Sequence, residues 1–413
     1  MKNINIPLGF RATGWNAGIK DNSFDFGVLH SDVPGSAAAV FTKNNYPGNP
    51  VIVGREHIKK GVLQTIVVNS KNANVSSGPS GLQLAYQMCA WTGEALGVRK
   101  EHILPSSTGV IGRIMPADKI EKACRSIPEN LKGADIESFA KAIMTTDTFP
   151  KILSERLDSG ITILGIAKGA GMIEPNMATM LAFVLTDAEV ENADLDRLLR
   201  FAAERTFNRV SVDTDTSTSD TFAIIANGKS EKKIKITEDD IKILESCSDP
   251  FSAEEQEKLK TDTHCREFIR SFLSLSLGLA RMIARDGEGA TKLIQVSVEK
   301  ARERKRALKI AKSVVNSPLL KSAIYGKDPN WGRIVMAVGK VFDEPVPYEQ
   351  LEVYLGSLSL KDADEDTLKL CSEYLGAEEV HLRIVLNEGS VNERVWGCDL
   401  TEDYVKINAH YTT

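Results

Sequence analysis

Short apolar runs and helical repeats alternate along this chain. Runs bounded by turn residues predict strands, and apolar residues that recur at i, i+3, i+4 and i+7 predict helices. The predicted strands lie at 63–70, 160–171, 179–186, 221–228, 293–299, 333–339, 351–356 and 379–387. The predicted helices lie at 192–207, from about 264 to the glycine-containing stretch 285–292, and at 299–315. This alternation indicates a mixed α/β protein.

Chain length and one charged stretch bear on the domain organisation. At 413 residues the chain is too long for one ordinary core, so we expect two domains or a large compound fold. Residues 229–262 are charged and lack an apolar stripe, which predicts an exposed insertion or a solvated pair of helices. Asn192 is the expected N-cap of the helix at 192–207.

Composition argues against several classes of protein. The net charge is −5 and no basic stripe is present, which argues against a nucleic-acid partner. No window of 18 apolar residues occurs, so we expect no membrane span. The first ten residues lack a secretory or transit pattern, which predicts a cytoplasmic protein. The cysteines form no CxxC pair and the histidines no HxH or HxxxH pair, so we expect no metal site.

Two polar stretches are candidates for a binding site. "DGEGATK" (286–292) follows a helix and precedes a strand, the reverse of a phosphate-binding loop, and a glycine helix cap would explain it. A glycine cap does not explain Glu288, a carboxylate between two glycines that a ligand can approach closely. "SVDTDTSTSDT" (211–221) resembles an EF-hand loop but lacks its glycine and its final glutamate. It predicts either a turn rich in side-chain hydrogen bonds or the polar lining of a site.

Thr179 lies where a loop ends and a strand begins, in "KGAGMIEPNMATMLAF" (168–183). A threonine hydroxyl is a weak nucleophile, but the α-amine of an N-terminal threonine can act as its base. Such an amine has a pKa of about 7.7–8.0, close to working pH. Within a chain this chemistry requires cleavage before Thr179, and Ala178 is small enough to leave its carbonyl accessible. The alternative is an ordinary loop threonine. No GxSxG elbow supports a serine triad.

Eight blocks in a fixed order resemble the bifunctional ornithine acetyltransferase/glutamate N-acetyltransferase family of arginine biosynthesis, in addition to the segment around Thr179. They are "SDVPGSAAAVFTKN" (31–44), "VVNSKNAN" (67–74), "SSTGVIG" (106–112), "MTTDTFPK" (144–151), "SVDTDTSTSDT" (211–221), "DGEGATK" (286–292), "YGKDPNWGRI" (325–334) and "WGCDLTEDYVKINAHYTT" (396–413). Together they cover the chain nearly end to end, which makes the resemblance specific.

The resemblance implies a self-cleaving enzyme. It implies a cut between Ala178 and Thr179 that gives chains 1–178 and 179–413, with Thr179 as the nucleophile. Thr108 and Gly109 match the family's oxyanion hole, through a hydroxyl and a backbone N–H. The implied substrate-binding positions are Thr145, Lys168, Thr179, Glu288, Asn408 and Thr413.

The resemblance also implies the substrates and the assembly. The acetyl group would pass from N-acetylornithine to glutamate, without a resident cofactor, and acetyl-CoA is a conceivable second donor. Lys168 suits the α-carboxylate that both substrates carry, and Glu288 suits the side-chain ammonium of ornithine. Two copies of each chain would form a heterotetramer. We expect an α/β fold: a layered mixed-sheet sandwich, αββα-like, with a second, smaller α/β domain near the C-terminus.

The sequence departs from the family pattern at three places. Lys71 and Thr214 stand where glycine is usual, and "VSSG" (75–78) replaces the common Ala-Cys-Thr-Gly. If those glycines used positive φ, Lys71 and Thr214 need a changed backbone, at a cost on the order of 1 kcal/mol or more. The expected nucleophile, oxyanion and binding positions are all present.

Two other functions compete with acetyl transfer. A hydrolase of the same architecture, an aminopeptidase or amidase, would pass the acyl group to water instead of to an amine. The pair of Lys168 and Glu288 favours a zwitterionic acceptor over water. A non-catalytic binding protein is the third hypothesis, and the intact set of site positions argues against it.

Overall fold

The computed structural model describes residues 4–174 and 180–410. Its strands are β1 Phe10–Trp15, β2 Phe26–Phe41, β3 Val62–Asn69, β4 Ile103–Ser107, β5 Lys151–Arg156, β6 Thr162–Lys168, β7 Leu181–Thr186, β8 Glu189–Val190, β9 Thr221–Ala226, β10 Lys233–Ile234, β11 Leu293–Ala301, β12 Glu352–Leu355, β13 Leu358–Ser359, β14 Glu379–Val385 and β15 Val391–Cys398.

The described helices connect these strands and cover the faces of the sheets. They are α1 Asn49–His57, α2 Gly78–Leu96, α3 Ala117–Arg125, α4 Ile127–Asn130, α5 Ile136–Ile143, α6 Asn192–Arg205, α7 Glu238–Ser246, α8 Ala253–Gln256, α9 Thr263–Arg285, α10 Arg304–Val315, α11 Pro318–Tyr325, α12 Trp331–Gly339, α13 Glu365–Tyr374 and α14 Glu402–Ala409.

The main sheet has eight strands in the order β4-β3-β2-β9-β7-β6-β5, with β1 beside β2. The long strand β2 joins its two halves, because it pairs with β3 over its first part and with β9 over its last. Between the two parts the register shifts, from His30 to Gly35. Since β2 and β9 are antiparallel while β7 and β9 are parallel, the sheet is mixed.

Helices cover the main sheet in layers. The apolar residues of α2 and α3 form one buried cluster with β3 and β4, and those of α6 and α9 form another with β6, β7 and β9. Helix α5 lies inside a third cluster with strands from both halves of the sheet. Its Phe139 ring packs edge-on against Phe183 of β7. The expected αββα-like sandwich is confirmed.

The second unit is a five-stranded sheet with the order β13-β12-β14-β11-β15. Helices α10 to α13 contribute to its buried apolar cluster, which spans residues from Ile294 to Val395. Strand β15 ties this unit to the main domain, because Trp396 belongs to the main cluster and accepts a hydrogen bond from the Ser211 N–H at 2.8 Å. The expected smaller α/β domain near the C-terminus is confirmed.

Most predicted elements match the structure, with four differences. The helix expected at 299–315 begins only at Arg304, because residues up to Ala301 continue strand β11. Residues 333–339 were expected as a strand, but they form most of α12. Asn330 caps this helix by accepting from the Arg333 N–H, and the buried positions Ile334, Ala337 and Val338 follow helical spacing. The prediction was wrong because a short apolar run fits either structure, and the cap decides the choice.

The other two differences concern helix α6 and the charged stretch. Asn192 is the first residue of α6 and not its N-cap, which is Glu191. The side-chain amide of Asn192 instead donates to the Ala37 and Gly61 carbonyls, so Asn192 anchors the helix to the sheet. The stretch 229–262 does hold two helices, but Ile236 and Leu244 are buried in the main core, so it is not a purely solvated insertion.

A pair of glycines seats helix α5 on the sheet, and it yields a test of the packing. Gly14 pairs with Gly27 across β1 and β2, and a Cβ on Gly14 would lie 2.1 Å from the Ser138 carbonyl oxygen of α5. We expect Gly14→Ala to lower the free energy of unfolding by about 1–3 kcal/mol, because the helix must shift. Gly133→Ala, where the added methyl meets open space, should change it little. Chemical denaturation measures both, and equal effects would contradict this packing.

Candidate active site

A cavity of about 330 Å³ lies where the two halves of the main sheet meet. In one half β6 ends and the parallel strands β7 and β9 begin at the cavity, and in the other half β4 ends there, so four strands deliver side chains to it. Its lining residues are Ala73, Thr108, Gly109, Val110, Ile111, Thr145, Thr146, Lys168, Gly171, Met172, Met180, Leu181, Ser217, Thr218, Ser219, Asp220, Glu288 and Asn408. The cavity therefore gathers every expected site residue that the structure describes.

Three expected site residues lie outside the described part of the chain. They are Ala178 and Thr179, at the expected cleavage point, and Thr413 at the C-terminal end. The described neighbours of the first two are nonetheless informative. Met180 and Leu181, which directly follow Thr179 in the sequence, line the cavity.

The expected oxyanion residues follow β4 in a tightly held loop. The Thr108 N–H donates to the Asn69 carbonyl at 3.0 Å, and the Val110 N–H donates to the Lys71 carbonyl at 2.8 Å. Gly109 has φ of +124°, and a Cβ there would lie 2.2 Å from the Lys71 carbonyl oxygen. Only glycine fits between these two hydrogen bonds, which explains the Thr-Gly order.

Lys168 ends β6 and its ammonium group is buried under the cavity. Its Nζ donates to the Thr108 Oγ1 and to the Thr145 Oγ1, both at 3.1 Å. Burial lowers the pKa of Lys168, while the negative charge of Asp147 opposes that change. The structure therefore brings Lys168, Thr108 and Thr145 together in one hydrogen-bonded group.

Asp147 braces this group from below. Its carboxylate accepts from the Lys151 Nζ at 2.7 Å, from the Gly169 N–H at 2.6 Å and from the Thr145 N–H at 3.0 Å. Burial alone would raise the pKa of Asp147, but Lys168 and Lys151 together lower it to about 2. Asp147 therefore stays ionised. It holds the backbone at Thr145 and at Gly169, the residue after Lys168.

Asp286 closes this buried set of charges. It accepts from the Lys151 Nζ at 2.5 Å and from the Thr148 N–H at 3.1 Å. Asp147, Lys151 and Asp286 were not expected as site residues. They lie in the blocks 144–151 and 286–292, yet no pattern in the sequence indicates that these charged residues are buried.

Glu288 reaches the cavity from the loop after α9. Its N–H donates to the Ala170 carbonyl at 3.1 Å, and its carboxylate lies against Gly171, where an added Cβ would be 2.4 Å from the Glu288 Oε1. The Asn408 side-chain amide donates to the Glu288 Oε2 at 2.7 Å. Helix α14 near the C-terminus therefore reaches the site, as the resemblance implies.

A glycine cap does not end α9, contrary to the simpler explanation of the stretch 286–292. The C-cap is Asp286, with φ of −90°. Gly289 has φ of +72°, and its carbonyl accepts from the Thr401 Oγ1 at 2.7 Å. The glycines of this loop thus serve its close approach to the C-terminal segment.

The polar loop 211–221 satisfies both alternatives that the sequence left open. Asp213 accepts from the Met172 and Ile173 N–H groups, each at 2.7 Å, so part of the loop is a hydrogen-bonded turn. Ser217, Thr218 and Asp220 line the cavity, so the rest is the polar lining of a site. Burial raises the pKa of Asp220 well above its ordinary value. The sequence analysis did not single out Asp220.

Lys71 and Thr214 keep the backbone conformation that glycine would adopt. Lys71 has φ of 87° and Thr214 has φ of 70°, both in the left-handed region. The structure therefore accommodates the larger residues in the strained conformation and does not change the turn. The strain costs on the order of 1 kcal/mol at each position, and more for the β-branched Thr214.

Two findings on the described residues concern clusters of metal-ligating side chains and helices that could span a membrane. Across residues 4–174 and 180–410, no group of three or more His, Cys, Asp or Glu side chains could hold a metal ion. Within the same residues, no helix is long and apolar enough to cross a membrane.

Hydroxyl groups around a buried cation, with a carboxylate in the same cavity, suit acyl transfer between small zwitterions, which is the chemistry of an acyltransferase. The model of the ArgJ family matches residues 11–413. The chain therefore belongs to the ArgJ family, which transfers acetyl groups in arginine biosynthesis. The resemblance found in the sequence motifs is confirmed.

Known relatives cover the whole chain. Arginine biosynthesis bifunctional protein ArgJ 2 of Clostridium acetobutylicum is 42% identical over 416 residues, which cover 100% of this chain and 99% of the relative. Arginine biosynthesis bifunctional protein ArgJ of Oceanobacillus iheyensis is 38% identical, over 99% of this chain and 96% of the relative. The crystal structure of ornithine acetyltransferase from Mycobacterium tuberculosis, complexed with ornithine, is 34% identical over 42% of this chain and 94% of that one, with a TM-score of 0.40.

The depressed pKa of Asp147 predicts a pH dependence of stability. Its pKa of about 2 in the folded state lies below the ordinary 3.8, so its contribution is complete above pH 3.8 and is lost as the pH falls through 2. We expect Asp147→Asn to cost on the order of 2 kcal/mol of unfolding free energy at pH 7, and less near pH 2. Asp21→Asn, at an exposed position, is the control. Denaturant unfolding from pH 7 to 2 measures the difference, and a cost independent of pH would contradict it.

The strain at Thr214 predicts a stabilising substitution. We expect Thr214→Gly to raise the free energy of unfolding by about 1 kcal/mol, because glycine adopts a positive φ without a steric cost. Thr214→Ala should gain less, because alanine keeps a Cβ at the same φ. Thermal unfolding of both variants tests this, and a larger gain for alanine would show that strain is not the cause.

Proposed function

We propose that the chain cuts itself between Ala178 and Thr179 and that Thr179 then acts as the nucleophile. Cleavage frees the Thr179 α-amine, which takes the proton of the Thr179 hydroxyl. An α-amine with a pKa of about 7.7–8.0 is well matched to this task near neutral pH. The products are chains 1–178 and 179–413.

The reaction has two halves. The Thr179 Oγ attacks the acetyl carbonyl of N-acetylornithine, and the Thr108 hydroxyl and the Gly109 N–H stabilise the resulting oxyanion. The bond from carbon to nitrogen then breaks, the ornithine amine leaves with the proton held by the Thr179 amine, and an acetyl ester remains. The amine of glutamate attacks this ester in the second half. The kinetics are therefore ping-pong.

The cavity binds substrates through charges of both signs. Lys168 faces the α-carboxylate, which ornithine and glutamate share, and Glu288 faces the side-chain ammonium of N-acetylornithine. Asn408 holds Glu288 in place, and Thr145 and Thr413 complete the substrate contacts. The observation that carries the proposal is the meeting of Thr108, Lys168 and Glu288 in one cavity.

Cleavage would leave the main sheet intact. Strand β6 belongs to the first chain and β7 to the second, and they pair from Ile163 to Lys168. Strands β2 and β9 also pair across the two chains. The two chains are therefore held by sheet hydrogen bonds and a common core. We further propose that two copies of each chain assemble in the cytoplasm, and that acetyl-CoA is a second acetyl donor.

Thr179→Ala tests the nucleophile directly. We expect one uncut chain of 45.2 kDa by intact mass spectrometry and no acetyl transfer from N-acetylornithine to glutamate. The wild type should give two chains, the second with an N-terminal Thr-Met-Leu sequence. A variant that still splits after residue 178 would contradict self-cleavage by Thr179.

The wild-type protein also separates transfer from hydrolysis. Ornithine release from N-acetylornithine should depend strongly on added glutamate, because the acetyl ester waits for an amine. Release at the same rate with and without glutamate would favour the aminopeptidase or amidase alternative. Acetyl-CoA in place of N-acetylornithine tests the second donor in the same assay.

A further inference from the structure

The Lys168 ammonium donates hydrogen bonds to two hydroxyl groups of the protein itself. Its Nζ lies 3.1 Å from the hydroxyl oxygens of both Thr108 and Thr145. A charged lysine has three donors and no acceptor, so both hydroxyl oxygens must accept. Each hydroxyl has a single proton, which therefore points away from Lys168. The direction of these two hydrogen bonds follows from the positive charge of Lys168, which leaves it with donors only.

We propose that Lys168 is a positioning residue for the oxyanion hydroxyl, a role additional to binding a substrate carboxylate. By occupying a lone pair of the Thr108 oxygen, it turns the Thr108 proton toward the cavity, where the acetyl oxyanion develops. The positive charge also polarises that O–H and makes it a stronger donor. This inference rests on the proposed acetyl transfer through Thr179.

The surroundings of Lys168 support a fixed orientation. Its side chain is only 8% exposed, so it has little freedom to follow a substrate. Asp147 accepts from the N–H of Gly169, which directly follows Lys168, and from the N–H of Thr145, whose hydroxyl accepts from Lys168. The Thr108 N–H is fixed on the neighbouring strand by the Asn69 carbonyl. Donor and acceptor are therefore both held by the backbone.

The two roles of Lys168 differ in which substrates depend on it. A residue that only binds a carboxylate matters for N-acetylornithine but not for an acetyl donor that lacks a carboxylate. A residue that orients the Thr108 proton matters for every acetyl donor, because each passes through an oxyanion. p-Nitrophenyl acetate has no carboxylate and reports the acetylation step by its colour, so it separates the two roles.

The experiment compares Lys168→Met with the wild type in the burst of p-nitrophenol. Rates are expressed per mole of cut chain, counted by intact mass, with the rate of Thr179→Ala subtracted. We expect the variant to lower the acetylation rate on the order of 100-fold, as for loss of one oxyanion donor. Lys168→Arg, which keeps charged donors, should recover much of the rate. Lys43→Met, at an exposed lysine, is the matched control.

A double mutant distinguishes action through Thr108 from a separate effect. We expect Thr108→Ala to slow acetylation by a similar factor, and Lys168→Met with Thr108→Ala to be no slower than Thr108→Ala alone, because Lys168 then has no hydroxyl to orient. If Lys168→Met does not fold or stays uncut, Lys168→Leu replaces it and should slow acetylation by the same factor, because leucine has no hydrogen-bond donor either.

The outcomes that contradict the proposal are distinct. Lys168→Met with a wild-type burst from p-nitrophenyl acetate, but a raised KM for N-acetylornithine, would make Lys168 a carboxylate binder only. Independent, multiplying effects in the double mutant would also overturn the inference. A wild-type protein without any Thr179-dependent burst would instead overturn the proposed acetyl-threonine, which is a separate failure.

Discussion

The arrangement of the site depends on one buried pair of opposite charges, Lys168 and Asp147. A lone ammonium in this position would lose its proton or destabilise the fold, because burial disfavours a charge that has no partner. Asp147 supplies the negative charge. Lys151 pairs with Asp147, and Asp286 pairs with Lys151 in turn. The charges alternate in sign, so each is stabilised by its neighbours.

This set of charges links three distant parts of the chain. Asp147 and Lys151 come from the segment before and within β5, Lys168 from the end of β6, and Asp286 from the end of α9. Glu288 follows Asp286 by two residues, so the same contacts help to place its carboxylate at the cavity. One buried cluster thus fixes both a cation and an anion that line the cavity. Such a cluster would be a poor source of net stability, but it defines geometry well.

The sheet explains why a cut between residues 178 and 179 is compatible with a stable protein. The strands on either side of that point, β6 and β7, are neighbours in the sheet and are buried along their whole length. Their hydrogen bonds and the apolar cores on both faces do not depend on the peptide link between them. After the proposed cut, the free energy that holds the two chains together would therefore be that of the folded core itself.

The sequence alone determined the α/β class, the order of the family motifs and four of the eight described strands of the main sheet, namely β3, β6, β7 and β9. Periodicity and turn residues are local, and they are sufficient for runs such as 160–171 and 221–228. The family blocks also named Thr108, Lys168 and Glu288 as site positions, because residue identity at a fixed place in a motif is visible without coordinates. Residues 333–339 show the limit, since the six apolar or small residues after Arg333 do not distinguish a helical period from a strand period.

Only the tertiary structure decided which charges are buried and which way the hydroxyl protons point. Asp147, Lys151 and Asp286 look like ordinary surface residues in the sequence, and burial is a property of the packed chain. The contact of Lys168 with Thr108 joins residues that are 60 positions apart. The role of this contact depends on the distance between the two side chains and on the charge of the donor, and neither is fixed until β4 and β6, from the two halves of the main sheet, bring these residues together.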